Sequence, residues 1–415
     1  MDVLASSIAR LRATVQLTKE LSSIDFPHSH SRDALRQISE IFEADLKQLE
    51  LLGATTDPLV VHALASAQAR KLFELYPLLG IVLRSTDVRN AFEIHGPFLR
   101  IVRQLLGPNS KLVISSEWEY SPFTFLPPTA YGLADTVFIG GPASEASNVL
   151  VIPLAGHELG HNVWAKQRRR DQLGPKIFGE MLTHLQTTRW SDFSSLFPQV
   201  AKPQDLSDLL GQQTWALAWN WAIRQCEELF CDFIGIAIFR ESFLHAASYL
   251  LAPGLPSMRS VLYPSSKRRA EYHVLAATNY GIGVPVDYVD RFDDESHPTE
   301  QPLKILLEVA DYGASRLVST LIAEADATIR NAGVTGPPSA EVAAIQHCFA
   351  QCVPAQKLAS LPSIINAAWG LHLSGMKEWR TMYPDLADCE PRLLSLLNDL
   401  VLKSIEVFEI EQRLR

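Results

Sequence analysis

Three observations on the 415-residue sequence predict a predominantly helical α+β fold. Apolar residues recur every three or four positions through most of the chain, and short β-branched or aromatic runs are confined to one region after Gly107. Proline- and glycine-rich breaks divide the helical rhythm. A chain of this length should form about two or three domains, since single cores stop growing near ~250 to 300 residues. The expected organisation is an N-terminal helical region over 1–106, a core with a small sheet over 107–300, and a C-terminal helical region over 301–415. With 47% hydrophobic and 20% charged residues the composition is that of a globular chain.

Leu4, Ile8, Leu11 and Val15 form one amphipathic stripe, and Leu35, Ile38, Phe42, Leu46 and Leu49 a second, which predicts two antiparallel helices. Asp57-Pro58 reads as an N-cap with proline in the first turn, launching a third helix expected to end before Pro77. A fourth should run to about Leu106. His28, His30, His62 and His95 are scattered through this region and read as surface or satisfied histidines.

Beyond Gly107, the runs Lys111 to Ser116, Phe123 to Leu126 and Thr136 to Ile139 read as strands. Further on, Arg168 to Arg170 looks like the basic C-terminal end of a helix, favourable with its dipole. Trp215 and Trp219 share a face of a long apolar helix, and Trp221 lies two turns before Glu228. Helix returns over Leu303 to Asn331, Ser339 to Cys352 and Pro391 to Arg415.

The formal charge of −9 argues against a general binder of nucleic acid or anionic membranes. No run of about 18 uncharged apolar residues is present, so no membrane span is expected, and no secretory signal is visible. The five cysteines, Cys226, Cys231, Cys348, Cys352 and Cys389, are few and odd in number, which suits a reducing compartment. A cytoplasmic location follows as the expectation.

The stretch that carries chemistry is Gly156-His157-Glu158-Leu159-Gly160-His161, an H-E-x-x-H motif. On a helix, His157 and His161 leave one face and can hold one metal ion, with Glu158 beside it. Neutral imidazoles suit Zn²⁺, and a catalytic zinc takes three protein ligands and leaves a position for water. Glu158 would take a proton from that polarised water and pass it to a leaving group.

A third ligand is offered within Glu227-Glu228-Leu229-Phe230-Cys231-Asp232, which lies in an apolar helical stretch. Glu228 and Asp232 are four apart and share a face, so one can bind metal and the other sit beside it. Asp232 would fix the tautomer of His157. Glu227 competes as a ligand, but its partner four residues on is Cys231, and the frame favours Glu228.

With these residues the sequence resembles the gluzincin zinc metallopeptidases, which pair H-E-x-x-H with a downstream E-x-x-x-D. The H-E-L-G-H core looks most like the CAAX prenyl protease and heat-shock metalloprotease branch. The likeness spans about residues 136 to 270. It implies His157, His161 and Glu228 as zinc ligands, Glu158 as general base and Asp232 as the acid behind His157. The resemblance also implies an edge strand beside the zinc helix for an extended substrate, with Thr136 to Gly140 the candidate and an interior strand the alternative.

That branch carries a His-Pro with arginine six residues after the histidine, and this chain has two partial versions. Tyr263-Pro264 has Arg269 at the right offset but tyrosine for histidine. His297-Pro298 keeps the histidine but has Leu303 at the offset. A phenol can donate to a developing oxyanion, which favours Tyr263 with Arg269. The expected function is that of a zinc metallopeptidase, a hydrolase acting on peptide or protein substrates. The alternatives are a zinc hydrolase of a non-peptide amide or ester, and a helical interaction protein with a non-catalytic zinc site.

Overall fold

A computed structural model of the protein describes every residue except 1–2, 53–55, 86–90, 119–121, 127–132, 134, 201–208, 253–258, 294, 296–297, 299, 356–359 and 415. It is 75% helical with one small mixed sheet, the predominantly helical α+β class the sequence predicts. The chain divides into two compact units, residues 1–147 and 148–415. The expected boundaries at 106/107 and 300/301 therefore fall inside these units. The strands share a core with the N-terminal helices, and the helix that starts at Gln301 packs on the one that carries Glu228.

The first unit holds α1 (Val3–Leu21), α2 (Ser29–Glu50), α3 (Pro58–Arg84), α4 (Ala91–Leu106), β1 (Lys111–Glu117), β2 (Phe123–Phe125) and β3 (Thr136–Pro142). The apolar stripe of α2, from Ala34 through Ile38 and Phe42 to Leu49, merges with Leu75, Leu79 and Val82 of α3 and with Phe138 of β3. Burying each such side chain is worth roughly 1.5–3 kcal/mol. Asp57 caps α3, its carboxylate accepting from the Leu59 amide at 2.8 Å.

That helix does not stop before Pro77, as its sequence predicts, but continues to Arg84. An interior proline costs about 3 kcal/mol through its missing donor and its ring. Leu78, Leu79, Ile81 and Val82 beyond it are all buried, which is enough apolar surface to offset the break.

The strand order is β1-β3-β2, with β1 parallel to β3 (Lys111 opposite Thr136) and β2 antiparallel to it (Phe123 opposite Gly140). The candidate edge strand, Thr136 to Gly140, is thus the central strand. Those five residues are buried without the in-out alternation of an edge, which is the pattern of a strand covered on both faces.

Three histidines of this unit, His28, His30 and His95, lie together, while His62 is exposed on α3. His28 and His95 stack with ring centroids 3.7 Å apart, His95 Nε2 lies 3.1 Å from the Leu112 carbonyl, and the Leu112 amide donates to His30 Nδ1 at 3.2 Å. Burial pushes the His95 imidazole down to about 4.

The second unit holds α5 (Leu154–Lys166), α6 (Arg169–His184), α7 (Trp190–Leu196), α8 (Leu209–Phe239), α9 (Glu241–Leu251), α10 (Ser266–Tyr280), α11 (Gln301–Asn331), α12 (Ser339–Ala350), α13 (Leu361–Leu373), α14 (Lys377–Met382) and α15 (Glu390–Arg413). The apolar α8 is its axis, with α5, α6, α10 and α11 packed around it. Trp215 and Trp221 are buried, and Trp219 donates its indole N–H to the Gly174 carbonyl at 3.0 Å.

Arg168 to Arg170 is the junction of two helices rather than the end of one. Arg168 adopts a left-handed conformation after α5, and Arg169 opens α6, its guanidinium bound to Glu324 of α11. Asn398 and Trp369 hold the approach to α5, accepting from the Val149 amide and donating to the Leu150 carbonyl, each at 2.9 Å. Among the described residues no helix is long and apolar enough to cross a membrane.

Candidate metal centre

Two glycines bring α5 and α8 together. A Cβ on Gly160 would lie 2.6 Å from the Cys231 Cα, and one on Gly156 3.1 Å from the Gly235 Cα. The missing side chains let the two backbones approach, the same role small residues play wherever helices cross closely. Because Gly156 and Gly160 are four apart and flank His157, the close approach sets the histidines directly over Glu228 and Asp232 of α8.

His157, His161 and Glu228 offer ligand atoms that all lie within 4.8 Å of one another. Glu228 Oε2 is 3.3 Å from His157 Nε2, and Glu228 Oε1 is 3.8 Å from His161 Nε2. The far ring nitrogens are engaged elsewhere. His157 Nδ1 is 2.8 Å from Asp232 Oδ1, and His161 Nδ1 is 2.9 Å from Glu227 Oε1. Ionised carboxylates only accept, so each Nδ1 carries a proton, and each Nε2, which faces Glu228, would offer its lone pair to a metal ion.

This donor set fits a divalent metal. Two imidazole nitrogens and a carboxylate make up a ligand set known for catalytic zinc. Glu228 is 1% exposed, and its Oε2 makes no hydrogen bond. A buried carboxylate oxygen without a donor is costly unless a cation completes it. Glu227, the competing ligand, instead faces His161 Nδ1 and accepts from Arg224 Nη1 at 2.7 Å.

Behind His157 stands a second layer that the sequence showed only in part. Arg269 of α10 donates to Asp232 through Nε at 2.6 Å and Nη2 at 2.8 Å. His273, one turn further along α10, places Nε2 2.9 Å from Asp232 Oδ2, and its Nδ1 is 2.8 Å from the Tyr288 hydroxyl. Arg269, expected to serve the oxyanion beside Tyr263, thus directs its Nε and Nη2 to Asp232. His273, Tyr288 and Arg224 escaped sequence reasoning. The four-residue spacing of Arg269 and His273 was the available signal for the first of them.

The electrostatics follow from this packing. Burial would lift the Asp232 carboxyl, but the adjacent Arg269 and His273 hold it well below the usual range. Burial alone would depress His157, and the charge and hydrogen bond of Asp232 overcome it to raise the ring to about 10. Burial raises the Glu158 carboxyl, and the nearby histidines only partly reverse this. A carboxylate lifted towards neutrality is a better proton acceptor than an ordinary one.

Tyr263 lies at the rim, 38% exposed, its ring 5.5 Å from the Arg269 guanidinium carbon. Burial, with Glu228 and Glu158 behind it, raises the phenol, so the hydroxyl keeps its proton. The alternative donor, His297, lies outside the described residues. Among the described residues the cysteines form no metal cluster, and Cys226 and Cys231 are buried between helices. Comparison with family models, with curated proteins and with solved structures finds no match for this chain.

Proposed function

We propose that the protein is a zinc-dependent metallopeptidase that hydrolyses peptide bonds. The observation that carries this reading is the convergence of His157, His161 and Glu228 around a carboxylate oxygen with no other partner, with Glu158 beside them on α5. His157 and His161 would hold the ion through Nε2 and Glu228 through its carboxylate. When bound, zinc supplies a Lewis acid that polarises water and a carbonyl oxygen.

The chain's own groups do the rest. Glu158 takes the proton from the attacking water and delivers it to the departing amine nitrogen. Tyr263 donates its hydroxyl proton in a hydrogen bond to the carbonyl oxygen as negative charge gathers there. Asp232, clamped by Arg269 and His273, keeps His157 in one tautomer, and Glu227 does the same for His161. The few cysteines, all free, support a reducing, cytoplasmic location for this activity.

The test is a peptide library incubated with zinc-loaded protein and read by mass spectrometry. Cleavage is expected from the wild type. It should be lost in Glu158→Gln, whose amide cannot take a proton, with one zinc still bound per chain. Undiminished cleavage by that variant would refute the role of Glu158, and a library left intact by the wild type would refute the peptidase reading.

A further inference from the structure

A cavity of about 790 Å³ opens between α10 and α11, close to the metal centre. This volume is within the range of small-ligand sites. Arg259, Pro264 and Ser265, on either side of Tyr263 in the sequence, form part of its lining. Gln225 of α8, one turn before Glu228, lies at the inner end.

The charges that line it are mixed, and nearly all are consumed by one another. Asp311 is bound by Arg259 and accepts from Gln225 Nε2 at 2.8 Å. Glu271 accepts from Arg268 at 2.7 Å, and Glu308 from Arg189 at 2.5 Å. His184 stacks on Tyr312 at 3.8 Å, and burial together with Arg189 lowers its affinity for a proton, so it adds little positive charge. Glu295 sits at the same end of α10, where it accepts from the Ser266 hydroxyl, but it does not line the cavity.

Of the cations that line it, Lys267 and Arg259 remain. Lys267 lines the cavity and has no partner among the described residues. Arg259 is 5% exposed, lines the inner wall, and its Nε–H is buried without an acceptor. That donor is shut off from the cavity, and the guanidinium is bound at both Nη atoms to Asp311, so among the described residues Lys267 is the lining cation left for an anionic ligand.

We infer that this cavity receives a carboxylate of the substrate, held by Lys267. The inference rests on the peptidase reading for the identity of the ligand as a peptide. The carboxylate can come from an acidic side chain or from the peptide's own C-terminus. Tyr263 links the two regions, its backbone carbonyl accepting from Arg259 Nη2 at 3.3 Å and its ring lying 5.5 Å from the Arg269 guanidinium carbon, so an occupied cavity would fix which bond of the peptide lies against Glu158.

Four pentapeptides separate the sources: glutamate or glutamine at the centre, each with a free or an amidated C-terminus. Their affinities for the zinc-loaded full chain are measured by calorimetry, then again after the zinc is chelated. At least one carboxylate should tighten binding by about 10-fold, the worth of one charge-assisted hydrogen bond. The gain should persist without zinc, disappear in Lys267→Met and survive in Lys267→Arg. Preference for glutamate identifies the side chain, and preference for the free terminus identifies the chain end.

Equal affinity for all four peptides would overturn the inference. So would a preference that survives Lys267→Met or vanishes with the zinc, since the carboxylate would then be binding elsewhere. The two readings fail separately. Carboxylate preference without hydrolysis would refute the peptidase, and hydrolysis without carboxylate preference would refute the pocket.

Discussion

Four buried carboxylates, Glu158, Glu227, Glu228 and Asp232, sit on two adjoining helices, and each is defined by what its oxygens touch. Glu227 and Asp232 both face a histidine Nδ1 and are neutralised by arginines, while Glu228 keeps one oxygen free. Removing the charge behind a ligand histidine weakens a metal by roughly 10- to 100-fold. Asp232→Asn and Glu227→Gln should each do so, measured by competition with a chromophoric chelator. Unchanged affinity in either would show that its hydrogen bond to the imidazole is not maintained in solution. The rim tyrosine has a different signature. Tyr263→Phe should keep its zinc and lose roughly 10²- to 10³-fold in the rate of the chemical step, the cost of one oxyanion donor. Normal single-turnover rates in that variant would move the donor role away from position 263.

Between elements, the decisive contact is the glycine-lined crossing of α5 and α8. Gly160→Ala places a methyl 2.6 Å from backbone that cannot rotate away. Overpacking of this kind costs about 1–3 kcal/mol, against about 1 kcal/mol gained from helix propensity. The variant should therefore lose stability in denaturant melts and bind zinc more weakly, because the helices that carry the ligands are pushed apart. Gly179→Ala, in open space on α6, should instead gain up to about 1 kcal/mol. Equal responses at the two positions would mean that the close crossing does not hold the site. The elements differ in how far the sequence revealed them. This helix pair was legible because the four-residue spacings His157/His161 and Glu228/Asp232 are themselves statements of geometry. Helix α6 was hidden because its three arginines resemble the end of α5, and the contact that makes Arg169 a beginning is with Glu324, more than 150 residues away. The course of α3 through Pro77 and the central place of β3 depend on packing partners that no local pattern encodes. The same holds for Tyr288, which reaches His273 from a loop with no spacing rule.

At the scale of the whole chain, the candidate ligands His157, His161 and Glu228 belong to the second unit alone, as do the residues that hold them. Metal binding should therefore stabilise residues 148–415 and leave 1–147 unaffected. No hydrogen bond reaches Glu228 Oε2, and a bound ion would tie α5 to α8 through His157, His161 and Glu228. A ligand present at 1,000 times its dissociation constant adds about 4 kcal/mol to the folded state. For a unit of this size that is a rise of about 8 to 16 °C in Tm. The tryptophans make this observable unit by unit. Trp164, Trp190, Trp215, Trp219, Trp221, Trp369 and Trp379 all lie in the second unit, while Trp118 of the first is 93% exposed and already reports solvent. A melt followed by tryptophan emission should thus fall by that amount when zinc is chelated and recover when zinc is returned. His161→Ala should melt at the lower temperature whether zinc is present or not. If chelation leaves the tryptophan melt of the wild type unmoved, the ion is not coupled to the packing of α5 on α8, and the trio of His157, His161 and Glu228 is not where it binds.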